Sequence, residues 1–553
     1  MSLRTRGLAA GVILASGALA LSACSSSGGS SGGSSGGSGS TGGTYSIAIE
    51  APQFGLAPTN CYDLYCAQVD QGMYTGLFEF VTDDSGAMVP QNSFLTKSVT
   101  PSSDNKTYTI EINPGNTFTN GEKVTAQTFV DTFNFAANGG NGQQLGFIFG
   151  PSQLNVEGYD AVSGTDSTDG KMSGLKAVND TTLEMKLAAP LNQSLFMNFM
   201  AGPQIYPMPK EAFKDLKSYQ KQPIGNGPYK LDGAWDNSTG GKLVKNPDFN
   251  GPAGNADSID VRIYASDDAQ WADLQGNNLD VVTTLPQNAL ASASSVLGDR
   301  YINTPGGLQY SYYGFAADDP TYKSKDVRIA IARAINTNEI NTKLYYDTRQ
   351  AGTSFAPSTI AGGGTDICGE NCTFNAEAAK ASLAKGGGWP QGAKVHVAKL
   401  ANSTGDVETA ICNQIQQNLG VTCVVDTYKD FGTFLTAQQN KEVPDGTLIG
   451  SGWIADNPTI QNMITANFTS DSPNNYVGYK NPQFDKLLLE GTQASDENEQ
   501  IAKWQEAEKV LLDDFPAWPF QMRNTVGGYS TRVSNVSINP GGFVNLSTIS
   551  VNQ

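Results

Sequence analysis

The chain has 553 residues, with 53 acidic against 35 basic side chains and a formal net charge of −18. An acidic chain without basic clusters argues against nucleic acid or anionic lipid as the main partner. The length is well beyond one hydrophobic core, so two or more lobes are expected.

Arg4 and Arg6 open a short positive segment, and Gly7 to Leu21 is apolar and uncharged. That run suits the apolar part of a secretory signal over residues 1–23 and is too short for a comfortable membrane span. Leu21-Ser22-Ala23-Cys24 follows and resembles the bacterial lipobox, which implies lipidation of Cys24. Residues 25–43 hold only Ser, Gly and Thr, so 24–43 reads as a lipidated cysteine and a flexible tether.

Beyond the tether, strand and helix patterns alternate, which gives an α/β fold class. Thr44 to Glu50 reads as a first strand. Tyr108 to Ile112 reads as another, closed by the turn Asn113-Pro114-Gly115. Thr125 is placed to cap a helix whose Phe129, Val130, Phe133 and Ala137 share a face. A single helix is expected over Asp326 to Glu339, and a last long one over Glu499 to Leu512 with Ile501, Trp504, Ala507 and Leu511 inward.

Apart from Cys24, the cysteines fall as close neighbours: Cys61 and Cys66, Cys368 and Cys372, Cys412 and Cys423. Local pairing is one of fifteen connectivities open to six cysteines. Disulfides fit an exported protein. A zinc site is the weaker alternative, since no Cys-x-x-Cys occurs and His396 is the chain's one histidine.

Five segments carry a more specific signal. They are Tyr108 to Phe129, Pro223-Ile-Gly-Asn-Gly-Pro-Tyr229 with Lys245 to Phe249, Asp326-Val-Arg-Ile-Ala330, Gly452-Trp-Ile-Ala-Asp-Asn-Pro458, and Asn481-Pro-Gln-Phe-Asp485. In this order and spacing the chain resembles the extracellular solute-binding proteins of oligopeptide, dipeptide and nickel ABC importers (bacterial family 5). The resemblance implies a two-lobed clamshell of the periplasmic-binding-protein type with an extra subdomain. Lobe I would comprise 44–77, 176–265 and 521–553, the subdomain 78–175, and lobe II 266–520. It further implies a monomer on the outer face of the cytoplasmic membrane, held only by the lipid on Cys24. There it would load the permease subunits of an ABC importer, without cofactor or metal.

The same resemblance makes Asp456 the partner of a peptide's α-ammonium group, through a charge-assisted hydrogen bond. Read alone, Asp456 before Asn457-Pro458 is equally a turn residue. Trp453 would wall the pocket, with a core role as its alternative. Main-chain groups of Gly452 and Ala455 would hydrogen-bond an extended peptide. At the other end of the ligand the chain departs from its relatives. Gly450 stands where oligopeptide binders carry an arginine, and Val407 lies near the place of a histidine. Lys399 falls at the position of the dipeptide binders' carboxylate-binding arginine, although it reads equally as a surface lysine. Tyr310 is a lesser ligand candidate, and the Cys61–Cys66 loop with Tyr62 and Tyr65 is expected to rim the cleft.

Beyond the Ser/Gly tether, where such spacings arise by composition alone, no Gly-x-Ser-x-Gly, phosphate-binding or dinucleotide-binding motif occurs, so a binding protein is expected over an enzyme. Scarcity of histidine disfavours metal-chelate cargo. Oligosaccharide or another small solute remains the alternative ligand, distinguished by whether Asp456 meets a cation.

Overall fold

The computed structural model describes residues 42–552, apart from 203–204, 365, 402 and 441. The signal segment, Cys24 and all but the end of the tether lie outside the described residues. Among those described, no helix is long and apolar enough to cross a membrane.

Two mixed sheets organise two lobes. The first has seven strands in the order Tyr301–Thr304, Thr525–Tyr529, Val281–Val282, Thr44–Ile49, Ser258–Ile263, Gly240–Lys245 and Tyr229–Asp236. Thr44–Ile49 lies inside it, parallel to Ser258–Ile263 and to Val281–Val282. All but its first residue are buried, which accounts for its near-continuous apolar reading. The second sheet has six strands in the order Arg349–Ala351, Ala517–Arg523, Gln309–Phe315, Thr447–Ile454, Val395–Leu400 and Cys423–Tyr428. A separate four-stranded antiparallel sheet joins Thr96–Pro101, Thr107–Ile112, Thr182–Lys186 and Leu175–Asn179.

These memberships move the expected boundaries. Residues 281–304 pair into the first sheet, so the chain does not leave it at 266. The strand Ala517–Arg523 belongs to the second sheet, so the return falls near Asn524 and not at 521. The four-stranded sheet extends to Lys186, beyond the expected subdomain end at 175. Between Thr304 and Gln309, and again at Asn524, the chain passes from one large sheet to the other. These two crossings are tied together, because the Asn524 side chain donates to Asn303 Oδ1 at 2.8 Å.

The helix over Ala126–Ala137 begins at Thr125, where Thr125 and Thr128 cap each other reciprocally. The helix expected over Asp326 to Glu339 is in fact two, Lys325–Arg333 and Thr337–Tyr345. Asn336 causes the break: its side chain accepts the Glu339 N–H at 3.1 Å and so starts a new helix. The last long helix runs Glu497–Asp514 and buries Trp504, Ala507 and Leu511, with Ile501 half-buried. All three local cysteine pairs are disulfides, Cys61–Cys66, Cys368–Cys372 and Cys412–Cys423.

Candidate functional site

A cleft of 1560 Å³ is walled by residues that follow the first sheet's strand Thr44–Ile49, such as Tyr62, and by the second sheet's strands Gln309–Phe315 and Thr447–Ile454. This exceeds the roughly 300–1,000 Å³ of an ordinary small-molecule pocket. Tyr62, Leu64, Phe431 and Ile454 are large apolar or aromatic side chains left exposed, and all four line it. Grouped exposure of this kind marks a contact surface, whereas scattered apolar residues do not. The Cys61–Cys66 loop does rim the cleft, through Tyr62, Asp63 and Leu64. Asp63 fixes that rim by accepting the N–H groups of Tyr65 and Cys66 at 3.1 and 2.8 Å. Both sulfurs of Cys61 and Cys66 are joined to each other, so with Asp70 they offer no thiolate to a metal.

Asp456 stands at the end of the strand Thr447–Ile454, with its carboxylate open to the cleft. Protein crowds it on the remaining sides, and that burial pushes its pKa above the usual aspartate value, opposed by the hydrogen bond from Asn462. Among the described residues it has no ion-pair partner. Tyr62 lies near enough to feel its charge: burial first, and Asp456 second, raise the phenol's pKa. The turn that follows does not depend on the Asp456 side chain. There Thr459 donates to Asn457 Oδ1 at 2.7 Å and caps the helix Ile460–Phe468 by accepting the Asn462 N–H.

Trp453 is half-buried beside the cleft, and its indole N–H donates to Asn462 Oδ1 at 3.1 Å. Gly452 pairs with Ser311, and a Cβ there would sit 2.4 Å from the Tyr310 carbonyl oxygen, so only glycine fits. The Ala455 N–H already donates to Leu308 O at 2.9 Å, which removes it as the expected donor to a ligand. In an antiparallel ladder, main-chain polar groups alternate sides. With Ala455 facing Leu308, Gly450, Gly452 and Ile454 turn theirs to the other edge. Val395–Leu400 pairs along that edge only at Thr447 and Leu448, so the edge at Gly450–Ile454 is unpaired among the described strands.

Two expected ligand residues stand differently: Tyr310 lines the cleft but not with its hydroxyl, and Lys399 is not part of the lining. The Tyr310 ring is buried, its hydroxyl donating to Met463 O at 2.7 Å and accepting from Asn467 at 2.9 Å, so its polar group is committed inside the lobe. Lys399 is not among the residues lining the cleft; its charge acts on Glu408, whose pKa burial raises and Lys399 lowers. His396 is likewise away from the lining and bonds Asp426 across neighbouring strands at 2.7 Å. Residues the sequence reading did not single out are Asn462, which lies on the following helix, and Phe431 and Arg523, which line the cleft. No local pattern marks any of them; each is defined by the fold bringing distant strands together.

The family described as bacterial extracellular solute-binding proteins, family 5 Middle, matches residues 91–475. The oligopeptide-binding protein OppA of Bacillus subtilis is 24% identical over 493 residues, covering 86% of this chain and 87% of that protein. The structure of the Escherichia coli murein tripeptide binding protein MppA superposes with a TM-score of 0.72 at 20% identity, over 92% of this chain and 98% of that one. The periplasmic binding protein DppA of Helicobacter pylori, solved with the peptide STSA, gives 0.71 at 19% identity, over 93% and 99%. The two-lobed fold is therefore shared across the full described length.

Proposed function

This chain belongs to the family 5 bacterial extracellular solute-binding proteins, and from that premise we propose that it captures peptides between its lobes and delivers them to an ABC importer. The observation that carries the reading is Asp456: a carboxylate that, among the described residues, has no ion-pair partner, turned into an interlobe cleft and beside a strand edge unpaired among the described strands. An α-ammonium group supplies the missing cation, and the peptide's main chain supplies the missing strand. Gripping main chain while apolar side chains meet Tyr62, Leu64, Phe431 and Ile454 suits cargo of mixed sequence. Relatives named for oligopeptides and for a murein tripeptide support the same class.

Closure follows from differential contact. A peptide touching both walls of the cleft binds the closed state better than the open one and shifts the population toward it. The two adjacent crossings, at 305–308 and at Asn524, are where bending would occur with the least disruption of either sheet. In this reading the lobes are the bodies built on the two large sheets. The partners are the permease and ATPase subunits that read the closed surface. Cys24 carries the lipid that keeps the monomer at the outer face of the membrane.

Native mass spectrometry of the protein from residue 25 onward, before and after denaturing release, tests the cargo. A spread of peptide masses is expected, and it should disappear from Asp456→Asn protein purified in parallel. A single sugar mass, retained by Asp456→Asn, would instead favour the oligosaccharide alternative and end the anchor assignment.

A further inference from the structure

Resting on the peptide reading above, we propose that Arg523, backed by Arg349, binds a carboxylate of the ligand and so makes the cleft selective for short peptides that carry one. Among the described residues, Arg523 is the sole cation lining the cleft. Its side chain is open on the cleft side and crowded by protein on the others, and its guanidinium has no hydrogen-bond or ion-pair partner among the described residues. Directly opposite it across the ladder stands Arg349. Arg349 is held in place, donating to Gln521 Oε1 at 2.7 Å with its guanidinium carbon 3.5 Å from the centre of the Tyr345 ring. No carboxylate pairs with either arginine among the described residues, although acids outnumber bases 53 to 35 in the chain. Two neighbouring guanidinium groups without a counter-ion repel each other, and burial adds to the cost of their charge. Burial lowers the pKa of both, with Arg523 a further cause at Arg349. An incoming anion relieves both penalties at once. Arginine's planar fork suits a carboxylate in particular.

The register fixes where this site lies relative to Asp456. Tyr310 pairs with Trp453 on one side and with Met522 on the other, so Gln309 lies between Ile454 and Arg523 in a row across three strands. Asp456 is two residues beyond Ile454. With strands about 4.8 Å apart and about 3.3 Å per residue, the Asp456 and Arg523 backbones are roughly 12 Å apart. An extended peptide covers about 3.4 Å per residue, so a ligand of about two to four residues spans from one charge to the other. The carboxylate reaching Arg523 is either the peptide's terminus or an acidic side chain, and the two are separable by experiment.

Ligand-freed protein is titrated with three synthetic tripeptide pools built from Ala, Leu, Lys and Tyr: as free acids, as C-terminal amides, and as amides with Glu at the third position. Binding is read by thermal shift and by native mass spectrometry. Wild-type protein is expected to bind the free acids at least tenfold more tightly than the plain amides. Arg523→Met should shrink that gap to under threefold, and the unliganded variant should melt no lower than wild type because its repulsion with Arg349 is gone. If only the Glu-bearing amides beat the plain amides, and Arg523→Met removes that advantage, the carboxylate is a side chain's. Equal binding of all pools to wild type, or discrimination that survives in Arg523→Met, overturns the arginine assignment while the peptide reading stands. Failure of every pool to bind overturns the short-peptide proposal, and the co-purified masses then decide the peptide reading separately.

Discussion

Asn462 holds Asp456 at two points: its Nδ2 donates to the Asp456 carboxylate at 3.3 Å, and its Oδ1 accepts the Asp456 main-chain N–H at 3.0 Å. The same Oδ1 accepts the Trp453 indole N–H. One amide on the helix Ile460–Phe468 therefore sets the charge and one wall of the candidate site together. Such an arrangement orients a carboxylate without neutralising it, which a lysine or arginine in the same place would do.

Asn462→Ala should accordingly weaken binding without touching ligand. The carboxylate would lose its orienting donor and the indole its acceptor, each bond being worth about 1 kcal/mol, so affinity for the free-acid tripeptide pool should fall about tenfold or more. Calorimetric titration measures this. A variant that binds as wild type would show that Asp456 is positioned by the strand end alone.

Acid should weaken binding before it unfolds the protein. Binding an ammonium group requires the Asp456 anion, and burial has moved that group's pKa upward. As pH falls through the raised value, the free site takes up a proton that the ligand must displace, and affinity drops up to tenfold per pH unit. The decline should begin above the ordinary aspartate value of about 3.9. Asp456→Asn removes the titrating group, so its weaker binding should be flat across the same window. Dissociation constants between pH 4 and 8 test the contrast, and parallel curves would exclude Asp456 as the titrating anchor.

The strands Thr44–Ile49 and Thr107–Ile112 and the helix starting after Thr125 are legible in the sequence, because apolar periodicity and a cap residue are local signals. The Asn336 cap that divides one expected helix in two was local as well, with Glu339 three residues on, but the continuous apolar face across Val327 to Ile335 obscured it. The loop at Asp456 is legible through its motif, Gly452-Trp-Ile-Ala-Asp-Asn-Pro458. Lys399 does not line the cleft, and a count of residues between strands says nothing about which way a side chain leaves the sheet. Arg523 was invisible for the complementary reason: its role depends on Gln309 and Ile454 lying beside it, residues far away in sequence.

Gly452→Ala tests how closely the strand bearing Trp453 must approach its neighbour. The added methyl would meet the Tyr310 carbonyl oxygen, a backbone atom that cannot swing aside. Overpacking of this kind costs about 1–3 kcal/mol. The variant should melt several degrees lower and should also lose affinity, since separating the strands displaces Trp453 and Asp456. An unchanged melting temperature would mean that the ladder at Ser311 and Gly452 is looser than the structure shows.

Glu508 links the helix Glu497–Asp514 to the loop before Thr359, and it does so from full burial. Its Oε1 accepts from Ser354 Oγ at 2.8 Å and from the Phe355 N–H at 2.5 Å, whereas Oε2 has no partner among the described residues. Burial raises its pKa, against the lowering effect of those hydrogen bonds. In the unfolded chain the group ionises near its ordinary value of about 4.3, so above that pH the unfolded state holds fewer protons than the folded one. Stability therefore falls as pH rises from about 4.3 to the folded-state value, and below that window the penalty is absent. Glu508→Gln keeps an oxygen for Ser354 and Phe355 and never ionises. Any cost of its buried NH₂ group is the same at every pH, while the cost of ionisation is gone. The melting temperature of the variant relative to wild type should thus rise as pH increases from 4.5 to 8, whatever its starting offset. Melting curves that stay parallel over that range would mean that Glu508 titrates alike in the folded and unfolded chains.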